Sequence, residues 1–216
     1  MGSVKICVVD DHEIFRDGLK FILSQVLNYQ IVGEAGNGKE FLNLLTHMQP
    51  DVVLMDISMP EMDGIDASEQ ALKKCPGIKI IALSSYGDDL YYYKMVKAGV
   101  MGFVQKKSGK DELEKAINTV MNGENYFPPQ LLQKIIIKLG QSGPDSLANP
   151  ELTLSRREKE VLKFICQGYN NNEISEMLFI SPKTVDNHRT NLLSKTSSRN
   201  SANLVMFAIK HNLIEF

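Results

Sequence analysis

Two periodicities alternate along the first 123 residues. Nearly continuous apolar, β-branched runs ("KICVVD", "QIVGEAG", "DVVLMDI", "IKIIALSS" and "GFVQK") are separated by segments with apolar residues every three or four positions. The runs have the length and composition of buried strands, and the segments between them have helical spacing. Helices are expected over about 13–27, 39–48, 64–74, 88–98 and 109–121. Strands apolar on both faces, each followed by a helix, imply a doubly wound five-stranded parallel sheet with helices on both sides.

The pattern breaks after Gly123, at "ENYFPPQ". An apolar helical stretch, "PQLLQKIIIKLG", follows, and then the polar, Gly/Pro/Ser/Asn-rich "GQSGPDSLANPE". The latter has the composition of a flexible linker. From Leu152 onward only helical spacing remains, in four segments. The expected organisation is an α/β domain over 1–123, a linker with a helix over 124–150, and an all-α four-helix domain over 151–216.

Composition changes this picture little. The chain has 216 residues, 43% of them hydrophobic and 23% charged, which suits a two-domain globular protein. No apolar run approaches the roughly 18 residues that a membrane span needs, so no membrane partner is expected. Cys7, Cys75 and Cys166 are scattered, with no CxxC pair, as in reduced thiols of a cytoplasmic protein. Residues 1–150 carry a formal charge of −4 and residues 151–216 one of +2, an asymmetry that permits nucleic-acid contact in the second part.

The chemistry gathers at the strand ends. The first run ends in Asp10 and Asp11, the third in Asp56, the fourth in Ser84 and the fifth in Lys106. Open parallel sheets bind ligands beyond these carboxyl ends, where the strand order reverses. Singly, such acids are ordinary turn and cap residues. Together, three carboxylates suit a hard divalent cation such as Mg²⁺, and a carboxylate can act as a phosphoryl acceptor while a lysine neutralises phosphoryl oxygens.

"VVDDHEIFRDGL", "DVVLMDISMPEMDGI", "IIALSSY" and "AGVMGFVQKK" resemble the receiver domain of two-component response regulators, which has a flavodoxin-like fold. The resemblance implies that Asp56 is the phosphoacceptor, phosphorylated by a sensor histidine kinase. It further implies that Asp10, Asp11, Asp56 and the Ser58 backbone carbonyl hold Mg²⁺, and that Ser84, Phe103 and Lys106 respond to the phosphoryl group. Phe103 stands where many receivers carry Tyr, and Lys107 where many carry Pro. In "MPEMDG", Pro60 and Gly64 either shape the acceptor loop or form an ordinary connection. Of Tyr91, Tyr92 and Tyr93, one or two are expected to pack against the domain. Ser58 and Tyr86 are placed to tune the access of hydrolytic water.

In the second domain, "NNEISEMLFI" and "SPKTVDNHRTNLLSK" are two short helices joined by a tight turn, with Ser181 as N-cap and Pro182 opening the second. This is a helix-turn-helix pattern. Val185, Leu192 and Leu193 are assigned to the core, with Lys183, Asp186, Asn187, Arg189 and Thr190 facing out. On spacing alone a four-helix bundle binding module is the commoner reading.

"EISEMLFISPKTVDNHRTNLLSK", with the surrounding residues 152–205, resembles the LuxR-type helix-turn-helix of the NarL/FixJ response regulators. The resemblance implies a phosphorylation-controlled transcription factor, not an enzyme, that binds double-stranded promoter DNA as a homodimer when active, its final helix making the dimer. The DNA-facing set is Ser181, Lys183, Thr184, Asp186, Asn187, His188, Arg189, Thr190 and Lys195. Asn187 suits adenine, and Lys183, Arg189 and Lys195 suit phosphates. Asp186 stands where many relatives carry Lys. His12, His47, His188 and His211 lack ligand spacing and receive no metal role. An Asp-dependent phosphatase and a DNA-binding protein with a vestigial receiver are the competing readings. The first is disfavoured because its acids are spaced DxD, the second because the acid set here is complete.

Overall fold

The computed structural model describes residues 2–85, 89–127, 154–211 and 213–214. It divides into two compact units, residues 1–127 and 128–216. The helix expected within 124–150 and the position of Tyr86 lie outside the described residues.

The first unit runs β1 (Val4–Val9), α1 (Glu13–Ser24), β2 (Tyr29–Ala35), α2 (Gly38–Leu44), β3 (Val52–Asp56), α3 (Gly64–Lys74), β4 (Lys79–Ser84), α4 (Asp89–Ala98), β5 (Gly102–Gln105) and α5 (Lys110–Met121). All neighbouring strands are parallel, in the order β2-β1-β3-β4-β5. From β1 the chain goes outward to β2 and then returns to the other side as β3. The direction of winding therefore reverses between β1 and β3, and a crevice opens at their carboxyl ends.

Side chains alternate across each strand, so the near-continuous apolar runs supply two cores. Ile6, Val8, Val52, Leu54, Ile81, Leu83 and Val104 pack against Leu19 and Leu23 of α1 and Leu113, Ala116, Ile117 and Val120 of α5. The intervening Cys7, Val9, Val53, Met55, Ile80, Ala82 and Phe103 are equally buried on the opposite phase. Burial among these groups pushes the Cys7 thiol up to about 12, with Glu34 adding to the effect, so Cys7 behaves as an apolar side chain.

Two helices end earlier than their periodicity suggests. In α1 the amides of Gln25 and Val26 bond only three residues back, to Ile22 and Leu23, which closes the helix, and Leu27 is fully exposed. The stretch after α2 likewise continues as turns. Beyond Gly123 the chain stays attached to the first unit, because Phe103 donates its amide to the Tyr126 carbonyl and Tyr126 donates to that of Met101.

The second unit contains α6 (Arg156–Cys166), α7 (Asn171–Leu178), α8 (Pro182–Lys195) and α9 (Ser201–Lys210). Each helix has a polar start. Ser155 with Glu158, and Asn170 with Glu173, form reciprocal capping boxes, and Ser181 and Asn200 accept amide protons at the starts of α8 and α9. Gly168, at φ 90°, ends the first of these helices in a conformation that suits glycine. Val161, Leu162, Ile165, Ile174, Val185, Leu192, Leu204, Val205 and Ala208 make the core.

Candidate functional site

The three groups facing one another across the crevice continue the phase of the strands that carry them. Asp10 follows Val8 on β1, Asp56 follows Leu54 on β3, and Lys106 follows Val104 on β5. Backbone bonds hold these ends in place, with Asp10 donating to the Ala35 carbonyl and Lys106 to that of Ser84. Lys106 Nζ lies 2.8 Å from Asp10 Oδ2 and 2.8 Å from Asp56 Oδ2. Asp10 and Asp56 are buried, whereas Asp11 is partly open to solvent. Asp56 Oδ1 accepts the Ile57 amide, and Asp10 Oδ1 accepts that of His12.

Burial is the main reason the Asp56 carboxyl is pushed up to about 6. The hydrogen bond from Lys106 opposes the shift and the Asp10 carboxylate adds to it. Burial also disfavours the Lys106 ammonium, but its bonds to Asp10 and Asp56 outweigh this and hold its pKa above the ordinary lysine value. Such an arrangement keeps one ammonium against two carboxylates and leaves net negative charge at the crevice mouth.

Carboxylate oxygens of Asp10, Asp11 and Asp56 and a nitrogen of His12 all lie within 4.8 Å of one another. Hard oxygen donors with one open edge fit an ion of the Mg²⁺ type, which takes one or two carboxylates and keeps several waters. Ser58 lies exposed in the turn two residues beyond Asp56. His12, which its spacing gave no metal role, lies against the acids, its Nδ1 2.8 Å from Asp11 Oδ1 and 3.3 Å from Asp10 Oδ1. It immediately follows the two acids, a cue that a search for ligand spacing passes over.

The loop after β3 is shaped by a close approach. A Cβ on Gly64 would stand 1.9 Å from the Asp56 carbonyl oxygen, and the Gly64 amide donates to the Ile57 carbonyl. Of the two readings of "MPEMDG", the shaping one therefore describes Gly64. Asp63 caps α3 by accepting the amides of Ile65 and Asp66.

Ser84 and Phe103 are both fully buried. The Ser84 hydroxyl is hydrogen-bonded to the Tyr92 hydroxyl at 3.2 Å, and the Tyr92 ring meets Phe103 edge-on at 4.9 Å. Phe103 also lies 5.8 Å from the ring of Phe127. Tyr92 and Tyr93 are half-buried and Tyr91 is more exposed, as the packing expectation for this triplet required. Sequence reasoning gave Tyr92 no role at the site, because only helix phase brings it to Ser84. Arg16 and Phe15 were also missed. Arg16 donates to the Asp10 carbonyl oxygen, and Lys106 lies over the Phe15 ring at 5.1 Å. Beside them a groove of about 500 Å³ runs along α1 and α5, with Ile14 exposed at its edge.

On the second unit, Ser181, Lys183, Asn187, Thr190 and Lys195 are exposed, and Thr184, Asp186 and His188 are intermediate. Arg189 is a correction, because it is buried instead of facing out. It lies four residues after Val185 and three before Leu192, both fully buried, so the helical repeat carries it to the core face. That spacing was visible in the sequence, where the charge of Arg189 argued the other way. Lys183 is paired with Asp186 at 2.8 Å, and Lys195 with Glu158 at 2.8 Å.

An α/β unit with a buried acid facing a lysine at its switch point, followed in the chain by a capped helix-turn-helix unit, is the architecture of a two-part regulator. Residues 6–118 match the response regulator receiver domain, and residues 152–208 match the bacterial regulatory proteins of the luxR family. The chain belongs to the two-component response regulators with a LuxR-type DNA-binding domain. It is 36% identical over 211 residues to the transcriptional regulatory protein LiaR of Bacillus subtilis, covering 98% of this chain and 99% of that protein. It is 35% identical over 212 residues to the response regulator VraR of Staphylococcus saprophyticus, covering 98% of this chain and 99% of the relative. A solved structure of the Salmonella typhimurium response regulator RcsB, described for its conformational dynamism in DNA interaction, aligns with TM-score 0.57 at 25% identity, covering 95% of this chain and 97% of that one. Among the described residues, no helix is long and apolar enough to cross a membrane.

Proposed function

We propose that a sensor histidine kinase phosphorylates this regulator on Asp56, and that the phosphorylated chain dimerises and binds promoter DNA. An Asp56 oxygen forms a bond to phosphorus as the phosphorus–nitrogen bond of the kinase phosphohistidine breaks, and the imidazole leaves. The observation that carries this reading is the placement of Lys106, 2.8 Å from both Asp56 and Asp10. A fixed cation beside the acceptor meets the main demand of phosphoryl transfer, which is to neutralise the charge on the transferred oxygens. Mg²⁺ would supply further neutralisation of that kind, held by Asp10, Asp11, Asp56 and the Ser58 carbonyl. Burial of the Asp56 carboxyl shields it from bulk water, and the groove lined by Lys106, with Ile14 exposed at its edge, offers a partner protein a surface beside the site.

Ser84, Phe103 and Lys106 would report the phosphoryl group. Phe103 is already inside the domain, so its response is a repacking and not a swing from solvent. In the second unit, α8 would enter the major groove, with Asn187 at a base edge and Ser181, Lys183, Thr184, Asp186, His188, Thr190 and Lys195 along the groove and backbone. The apolar final helix, α9, is the dimer element in this reading. The domain limits that go with it are a receiver over 1–123, a connecting segment over 124–150 and a DNA-binding domain over 151–216. The chain acts in the cytoplasm as a phosphoryl acceptor, without multiple turnover.

Intact mass after incubation with acetyl phosphate and Mg²⁺ tests the first step. The expected result is a gain of one phosphoryl mass that EDTA prevents and Asp56→Ala abolishes. No gain in the wild-type chain would refute the acceptor role. Selection of DNA by the phosphorylated chain then tests the second step, with paired half-sites expected for a two-fold dimer.

A further inference from the structure

We infer that Tyr92 is a positioning residue of the phosphoryl site, acting through Ser84 and coupling helix α4 to the state of Asp56; this rests on the acceptor reading of Asp56 given above. Three observations carry it. Tyr92 and Ser84 share a hydrogen bond of 3.2 Å, in which either hydroxyl can donate. The same tyrosine packs its ring edge-on against Phe103, at 4.9 Å and 81°. Finally, Phe103 itself has no hydroxyl and is already buried, so the aromatic on β5 has neither a polar contact to make nor a swing from solvent to perform.

The hydrogen-bond arithmetic then gives a direction. A serine hydroxyl has one proton and two lone pairs. In the resting chain that proton can point at Tyr92. Once Ser84 donates to a phosphoryl oxygen, its oxygen can only accept from Tyr92, and Tyr92 becomes the donor. A donor behind Ser84 polarises the Ser84 O–H and strengthens the bond that it gives to the phosphoryl group. Tyr92 thus supplies, from α4, the hydroxyl that β5 lacks. Because Tyr92 also abuts Phe103, the reversal is felt at two points on one side of α4.

The test uses the full chain with Mg²⁺ and acetyl phosphate, comparing wild type with Tyr92→Phe, which keeps the ring and removes only the hydroxyl. Phosphoryl mass is expected to accumulate roughly two- to tenfold more slowly in the variant, the range that one neutral hydrogen bond commands. Beryllofluoride, a phosphoryl mimic, is expected to protect α4 amides from hydrogen exchange in the wild type and to protect them less in Tyr92→Phe. Unchanged uptake with unchanged α4 protection would overturn the role of Tyr92 and leave the acceptor reading intact. A lower melting temperature with unchanged uptake would also overturn it, marking Tyr92 as packing alone. A wild-type chain that gains no mass would overturn both.

Discussion

Lys106 bridges two carboxylates that come from different strands, standing 2.8 Å from Asp56 and 2.8 Å from Asp10. An ammonium so placed serves two ends that conflict. It offsets the repulsion between Asp10 and Asp56, and it competes with any divalent cation drawn to the same oxygens. Lys106→Met is therefore expected to bind Mg²⁺ several-fold more tightly by calorimetric titration, because a positive charge has been removed from the metal's neighbourhood. The same variant is expected to take phosphate from acetyl phosphate at least tenfold more slowly, having lost its fixed cation. Equal Mg²⁺ affinity in the two proteins would mean that the ammonium and the ion do not share a site.

Gly64 gives a sharper steric prediction. Its missing Cβ would lie 1.9 Å from the Asp56 carbonyl oxygen, and that neighbour is backbone, which cannot rotate away. Gly64→Ala must displace either the end of β3 or the start of α3. A loss of about 3 kcal/mol in denaturant stability is expected, at the upper end of ordinary overpacking costs. Phosphoryl uptake should fall with it, since the displaced atoms belong to Asp56, the proposed acceptor. A stability loss well below about 1 kcal/mol would show that the loop relaxes freely.

Helix α8 divides its polar residues into two kinds. Lys183 and Asn187 are exposed, whereas Arg189 is buried on the line of Val185 and Leu192. Lys183→Ala should weaken DNA binding about equally on all sequences and lower the salt slope by roughly one. Asn187→Ala should cost about 1–3 kcal/mol on the selected site and less on random DNA. Arg189→Ala should lower the hydrogen-exchange protection of α6 and α8 before any DNA is added. If instead Arg189→Ala keeps full protection and loses only DNA affinity, the side chain turns outward in the complex.

The five alternating parallel strands and the meeting of Asp10, Asp56 and Lys106 at their carboxyl ends were legible because they follow from periodicity, whereas the strand order was not. Strand alternation places every second residue on one face, and the chemistry sits where the apolar runs stop. The contacts of Tyr92 and His12 were not legible in the same way. Tyr92 reaches Ser84 only through the phase and tilt of α4, and neighbouring Tyr91 and Tyr93 carry the same chemistry. The inward turn of Arg189 was legible in spacing, but the usual exposure of arginine outweighed it. In each case what escaped is the path of a side chain after its backbone position is known.

Glu158 provides a pH-dependent prediction in the second unit. Its carboxylate is buried, accepts the Ser155 amide at 2.7 Å and pairs with Lys195 at 2.8 Å, so it joins the start of α6 to the end of α8. Burial works against the charged form, but the Lys195 and Ser155 bonds outweigh it and hold the Glu158 pKa below the ordinary glutamate value. The folded form therefore binds its proton less tightly than the unfolded form. The stabilisation is present above the unfolded pKa, about 4.3, and is lost as pH falls through the lower folded value. Glu158→Gln is expected to cost about 1–2 kcal/mol at neutral pH, read from hydrogen exchange of α6 and α8 amides in the full chain. The difference from wild type should shrink as the pH is lowered below the unfolded value. Lys195→Ala should produce the same loss and, on DNA, a drop in affinity larger than one phosphate contact explains, because it disturbs the end of α8 as well. A Lys195→Ala chain with wild-type exchange protection would return Lys195 to the simpler role of a phosphate contact.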